Sequence, residues 1–94
     1  MPIQSFRHKG LQRLFEDGDA RGLPAGQRQK LLDVLAALDT AKAPSEVGLF
    51  PGWGLHPLKG GLRGFWSVTI TGNWRVSFRF EKGDALDVEF IDYH

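Results

Sequence analysis

Two hydrophobic periods divide the chain. In its first half Leu11, Leu14 and Phe15 fall at i, i+3 and i+4, and Leu31, Val34, Leu35 and Leu38 fall at i, i+3, i+4 and i+7, the spacing of a helix face turned to a core. The pattern predicts one helix from about His8 to Asp17, stopped by Gly18, and a second from near Pro24 to near Ala41. Pro2 to Phe6 reads as a short edge strand, with its proline at the start, where a missing N–H matters least. Lys42 to Gly54 contains Pro44 and Pro51 among glycine and serine breaks and reads as a loop with room for one helical turn.

After that loop the period becomes two. Leu55 to Leu58 forms a first strand of this half, and Gly64 to Thr71 a second, with Trp66, Val68 and Ile70 facing one way and Phe65, Ser67, Thr69 and Thr71 the other. Gly72-Asn73 turns the chain into a third strand, where Trp74, Val76, Phe78 and Phe80 oppose Arg75, Ser77 and Arg79. Lys82-Gly83-Asp84 turns it again, and Leu86, Val88 and Phe90 continue the apolar face against Asp87, Glu89 and Ile91. The order β-α-α-β-β-β-β predicts an α+β domain: two helices packed on the apolar face of a mainly antiparallel, twisted sheet.

Ninety-four residues suit one domain, residues 1–94. There is no cysteine, which removes disulfides, thiolate nucleophiles and cysteine zinc sites and fits a reducing, cytoplasmic setting. No secretory signal and no run approaching the ~20 apolar residues of a membrane span is visible, so the protein is expected to be soluble, with no membrane association. The glycines form neither GxGxxG nor a P-loop, and HExxH, EF-hand and GxSxG spacings are missing, so neither a metal nor an organic cofactor is expected.

The net charge of +1 conceals a polarised sequence. From Val47 to Phe80 there is no Asp or Glu, while Lys59, Arg63, Arg75 and Arg79 lie on strands and turns; Glu81, Asp84, Asp87, Glu89 and Asp92 then follow with Lys82 as their single basic neighbour. Basic side chains without adjacent carboxylates favour a polyanion. Arg75 points away from the core by alternation, its competing role being a cross-strand pair with Asp87 or Glu89. Lys59 stands beside Gly60-Gly61, either on a phosphate or as a solvated turn lysine. His56 precedes a proline and either orients phosphate or packs. His94 ends the chain directly after a periodic strand, beside Asp92 and Tyr93, and imidazole exchanges protons near neutral pH. His8, between Arg7 and Lys9, reads as solvated surface.

Several segments, in this order and spacing, resemble the HigB toxins of bacterial type II toxin–antitoxin modules. They are Ser5-Phe6-Arg7-His8-Lys9-Gly10-Leu11, Leu38-Asp39-Thr40-Ala41, Leu55-His56-Pro57-Leu58-Lys59-Gly60, Gly64-Phe65-Trp66-Ser67, Asn73-Trp74-Arg75 and Asp92-Tyr93-His94. The resemblance implies the RelE/ParE superfamily's small α+β domain and a ribosome-dependent, metal-independent endonuclease that cuts mRNA in the ribosomal A site. It implies catalytic roles for His56, Lys59, Arg75, Asp92, Tyr93 and His94, with Lys9, Arg63 and Arg79 as further RNA phosphate contacts. The partners it implies are the ribosome, mRNA and a HigA-like helix-turn-helix antitoxin through which operator DNA is bound. Gly61-Leu62 departs from the family, which commonly has charged residues there. A ParE-like toxin acting on gyrase, or a non-catalytic RNA-binding module, are the alternatives.

Overall fold

The computed structural model describes residues 1–93, with His94 outside the described residues. The helices are α1, Lys9–Asp17, α2, Arg28–Thr40, and a single turn, α3, Pro44–Val47. Four strands follow: β1, His56–Pro57, β2, Phe65–Thr71, β3, Trp74–Glu81, and β4, Asp84–Asp92. They form one antiparallel sheet in the order β1-β2-β3-β4. The α+β class and the long strands agree with the alternation; the expected strand Leu55 to Leu58 shrinks to two residues.

Helix α1 begins where the His8 side chain accepts the N–H of Leu11 on Nδ1 at 3.1 Å, which satisfies one of the orphan donors of the first turn. His8 is therefore a half-buried cap, with its ring edge-on to Phe90 at 5.7 Å, and not the solvated residue its charged neighbours suggested. Gly18 ends the helix at φ 71, in the left-handed region that glycine occupies without strain. In the turn beyond, the Arg21 guanidinium bonds Asp19 and, helped by the Arg21 N–H, holds its carboxyl down to about 2. The contribution of this exposed pair is complete above the ordinary carboxylate value and is lost as pH falls toward 2.

The two hairpins differ as their residues require. Gly72 takes φ 50 as the first of two turn residues, as in a type II′ turn, while Lys82 and Gly83 are both positive at 52 and 85, as in type I′. Helices and sheet enclose one core, in which Leu11, Leu31, Val34, Leu35, Leu38, Val68, Val76, Phe78, Ala85 and Val88 are wholly inaccessible to solvent.

Two departures concern the edge at β4. The segment from Pro2 to Phe6 makes isolated parallel bridges, Ile3 to Ala85 and Phe6 to Val88, instead of a continuous strand. Between those bridges β4 carries a bulge. Arg79 pairs with Leu86, but Ser77 pairs with Glu89, so β4 inserts one extra residue. Asp87 sits there at φ 54, and its N–H donates to Ser5 Oγ at 2.9 Å. The bulge changes which residues turn inward: Ala85 joins Val88 and Phe90 in the core, and Leu86, expected inside, pairs with Arg79 on the outer face.

Phe78→Ala should lower the free energy of unfolding by about 3–5 kcal/mol, since it empties a fully buried aromatic site. Arg75→Ala should stay within about 0.5 kcal/mol of the parent in the same urea titration. Similar losses for the two would contradict the division into a core face and an outer face.

Candidate active site

Paired residues of neighbouring strands share a sheet face, so the register defines what the outer face presents. His56, Ser67, Ser77 and Glu89 form one row across all four strands. Thr69, Arg75 and Ile91 form the next, and Phe65, Arg79 and Leu86 another. Alternation thus put Arg75, Ser77 and Arg79 on one face, as their pairing confirms.

At the β2–β3 turn, Arg75 Nη1 donates to the carbonyls of Gly72 at 2.7 Å and Trp74 at 3.1 Å. Its Cζ lies 5.9 Å from the centre of the Tyr93 ring. Tyr93 is held there because its own N–H donates to the Asn73 carbonyl at 2.8 Å. The end of β4 is thereby bonded to the turn that carries Arg75. Asp92 pairs with Trp74 and faces the other side of the sheet from Arg75 and Ile91. His94 lies outside the described residues.

Lys59 and Arg63, both exposed, flank the short 3-10 turn Gly60–Leu62. That turn leans over the sheet: Leu58 and Leu62 line a cavity of about 150 Å³ together with Phe65, Ser77, Glu89, Ile91 and Tyr93, and Arg7 and Asp87 complete it. His56 is exposed on β1, in the row that contains Ser77 and Glu89. Lys9 is exposed at the start of α1, off the sheet. A larger cavity, about 420 Å³, lies in the helix layer against Ala37, Thr40, Glu46, Leu49 and Phe50. It includes none of the candidate site residues, and size alone does not make it the reactive one.

Folding alters the electrostatics that the linear sequence suggested. Arg79 donates from Nε to Asp87 at 3.2 Å and also pairs with Glu81, while Arg7 approaches Asp87 at 3.9 Å. The cross-strand carboxylate contact that competed with a ligand role for Arg75 is made by Arg79. A stretch free of acids in sequence is not free of them in space, because β4 lays its carboxylates along β3. Glu89, which sequence reasoning placed on the outer face as a possible cross-strand partner of Arg75, lines the cavity and has no ion-pair partner among the described residues. Neither is there, among those residues, a group of three or more His, Cys, Asp or Glu side chains able to hold a metal ion.

The model of the HigB-like toxins, RelE-like toxins of type II toxin–antitoxin systems, matches residues 4–94. This chain belongs to that family. It is 46% identical over 92 residues to the endoribonuclease HigB of Proteus vulgaris, covering 98% of this chain and 99% of that protein. It is 31% identical over 90 residues to the toxin HigB-1 of Vibrio cholerae serotype O1, covering 95% of this chain and 94% of that toxin. As a type II toxin it has an antitoxin as its partner. No helix among the described residues is long and apolar enough to cross a membrane.

The ion pairs of Arg79 separate it from Lys59, which has none among the described residues. In a salt titration of RNA binding, Lys59→Ala should reduce the slope of log K against log salt by about one. Arg79→Ala should leave that slope nearly unchanged, because its charge is already answered by Asp87 and Glu81. Equal reductions would show that Arg79 leaves its carboxylates for phosphate.

Proposed function

We propose that this toxin is an endoribonuclease that cleaves mRNA in the ribosomal A site and so arrests translation. The observation that carries the reading is the bond from the Tyr93 N–H to the Asn73 carbonyl, which sets an aromatic ring beside the Arg75 guanidinium at the margin of a cavity walled by the Lys59 segment. An endoribonuclease among its relatives, with near-complete coverage of both chains, supports the same reading.

In the proposed reaction the 2′-OH of one nucleotide attacks the adjacent phosphorus. Its proton passes to a base, the bond to the 5′-oxygen breaks, and that oxygen takes a proton from an acid. The products are a 2′,3′-cyclic phosphate and a 5′-OH end. Charge accumulates on the non-bridging oxygens in the transition state, where fixed cations act most strongly. Arg75 is suited to meet that charge, because its two carbonyl bonds occupy Nη1 and hold the side chain in place, while Nε and Nη2 carry further donors. Lys59 supplies a second, more mobile charge. His94 and His56 are the proton carriers, and Tyr93 contacts the nucleotide. Protein cations and proton carriers account for every step, with the ribosome aligning the 2′-OH and phosphorus.

The antitoxin in this reading is a HigA-like helix-turn-helix protein that binds the operator by reading its grooves, for which this chain has no such motif. Co-expression with it should relieve growth arrest.

Mapping RNA 5′ ends soon after induction should show 5′-OH cuts in register with the reading frame, and purified toxin should leave free mRNA mostly intact while cutting it on programmed ribosomes. Growth arrest with intact mRNA would instead point to a gyrase-type target. Under single turnover on ribosomes, Arg75→Ala should slow cleavage by about 10²-fold or more, with Lys59→Ala next.

His94→Gln keeps a hydrogen-bonding side chain but cannot take up and release a proton near neutral pH. It should greatly reduce cleavage while leaving the melting temperature and antitoxin binding near the parent values. Cleavage at the parent rate would remove His94 from the proton transfers.

A further inference from the structure

The turn that carries Lys59 crosses the outer-face cavity between two fixed points. Its stems are bonded to the sheet, from the Leu58 N–H to the Phe65 carbonyl at 2.9 Å and from the Phe80 N–H to the Gly64 carbonyl at 3.0 Å. Between the stems the bonds are local to the turn, from the Leu62 N–H to the Lys59 carbonyl at 3.3 Å and from the Arg63 N–H to the Gly60 carbonyl at 3.2 Å. Gly60 and Gly61 bring no side chain, and a Cβ on either would meet open space. Lys59 and Arg63 are exposed, with no ion-pair partner among the described residues. Leu62 differs from all four. It is 48% exposed, and of residues 59–63 it is the one that lines the cavity, facing Leu58, Phe65 and Ile91. An apolar side chain half covered by apolar neighbours gains free energy by staying there, so Leu62 draws the turn onto the sheet.

We propose that Leu62 is a positioning residue: its side chain anchors the Lys59–Arg63 turn over the sheet and so fixes where the Lys59 ammonium meets the scissile phosphate. The two cations of the proposed site are placed by different means. Arg75 is tied at the hairpin turn by bonds to the carbonyls of Gly72 and Trp74. Lys59 has no comparable tie: it is a point charge on a flexible four-carbon stem, and Gly60-Gly61 follow it directly, with the conformational freedom that glycine brings. A cation stabilises a transition state most when it is already in place and need not be ordered during the reaction. Leu62 supplies that order from three residues away. The inference rests on the mRNA-cleavage reading, in which Lys59 meets the phosphate, and adds to it a residue that acts through Lys59 and touches no reacting atom.

The test combines backbone NMR order parameters of the free toxin with single-turnover cleavage on programmed ribosomes, for the parent, Leu62→Ser, Leu62→Met, Lys59→Ala and the Lys59→Ala/Leu62→Ser double variant. In the parent the amides of Gly60, Gly61 and Arg63 should be near the rigid value of about 0.85, and in Leu62→Ser they should fall below about 0.6, with the strands unchanged and the melting temperature near the parent value. At saturating ribosomes Leu62→Ser should cut about tenfold more slowly, the cost of a misplaced group, while the ribosome concentration giving half the maximal rate stays within about twofold. Leu62→Met, apolar and of similar volume, should restore both the order and the rate. In the Lys59→Ala background Leu62→Ser should change the rate by less than about twofold, because a residue that works through Lys59 has nothing left to position. An equal loss in both backgrounds, a change in half-saturation alone, a Leu62→Met protein as slow as Leu62→Ser, or turn amides as ordered in Leu62→Ser as in the parent would each overturn the proposal while leaving mRNA cleavage in place. So would a Leu62→Ser protein that fails to fold, which would make Leu62 part of the core. Failure of the parent to cut mRNA on ribosomes would instead overturn the cleavage reading, and the order parameters would still decide whether Leu62 holds the turn.

Discussion

One extra residue in β4 sets what the outer face contains. Up to Leu86 the strand pairs with β3 in one register, and from Glu89 onward it is shifted by one residue. Side chains alternate with a period of two, so a shift of one exchanges the faces of everything beyond it. Without the bulge, Val88 and Phe90 would emerge among Ser77 and Arg75, while Glu89 and Ile91 would turn into the core. The bulge is held by a group from the other end of the chain, since Ser5 Oγ accepts the N–H that Asp87 cannot give to the ladder. Two parallel bridges, at Ile3 and Phe6, clamp the N-terminal segment on either side of it. The apolar core and the proposed nucleotide face therefore share a single requirement.

The same strand explains why the surface is more neutral than the basic segment implied. β4 is the acidic part of the chain and pairs along its length with the basic β3. Arg79 is drawn into a network with Glu81, Asp87 and, through Asp87, Arg7. Arg75, closer to the opposite end of β3, meets Ile91 across the ladder and bonds main-chain carbonyls instead. Two arginines four residues apart on one face thus serve different ends, one closing a charge network that braces the hairpin and the other presenting its guanidinium at the hairpin turn. Exposed pairs of the first kind contribute modestly to stability; among the described residues of β3 their larger effect is to leave Arg75, and not Arg79, as the arginine without a carboxylate.

Much of this was legible in the residues because local rules and tertiary packing agree. Helical spacing marked Leu31, Val34, Leu35 and Leu38, all fully buried, and alternation placed Arg75, Ser77 and Arg79 together. What escaped depends on contacts distant in sequence. The bulge needs Ser5, far from Asp87, and nothing around Leu86 announces that Ala85 will replace it in the core. His8 looks like one more charge among Arg7 and Lys9 until the start of α1 makes it a cap. Of the candidate site, Arg75 and Tyr93 are brought together and the Lys59 segment walls the adjacent cavity, whereas Asp92 faces the other way. The cavity itself was invisible, since Leu58, Phe65, Ser77 and Glu89 belong to four separate stretches of sequence.

The end of β4 unites these observations. The ends of strands fray unless hydrogen bonds and packing hold them. Here the ladder continues to Asp92 opposite Trp74, and one residue later the Tyr93 N–H bonds the Asn73 carbonyl. Beneath, Trp74 stacks on Phe90 with ring centres 4.5 Å apart, so the last residues of β4 rest on an aromatic pair at the margin of the core. Shifting β4 by one position would break that stack, the Asn73 bond and the Arg75–Tyr93 approach together. The turn, the strand end and the core are thus coupled by geometry, and Tyr93 is placed by the same strand that seats Phe90 in the core.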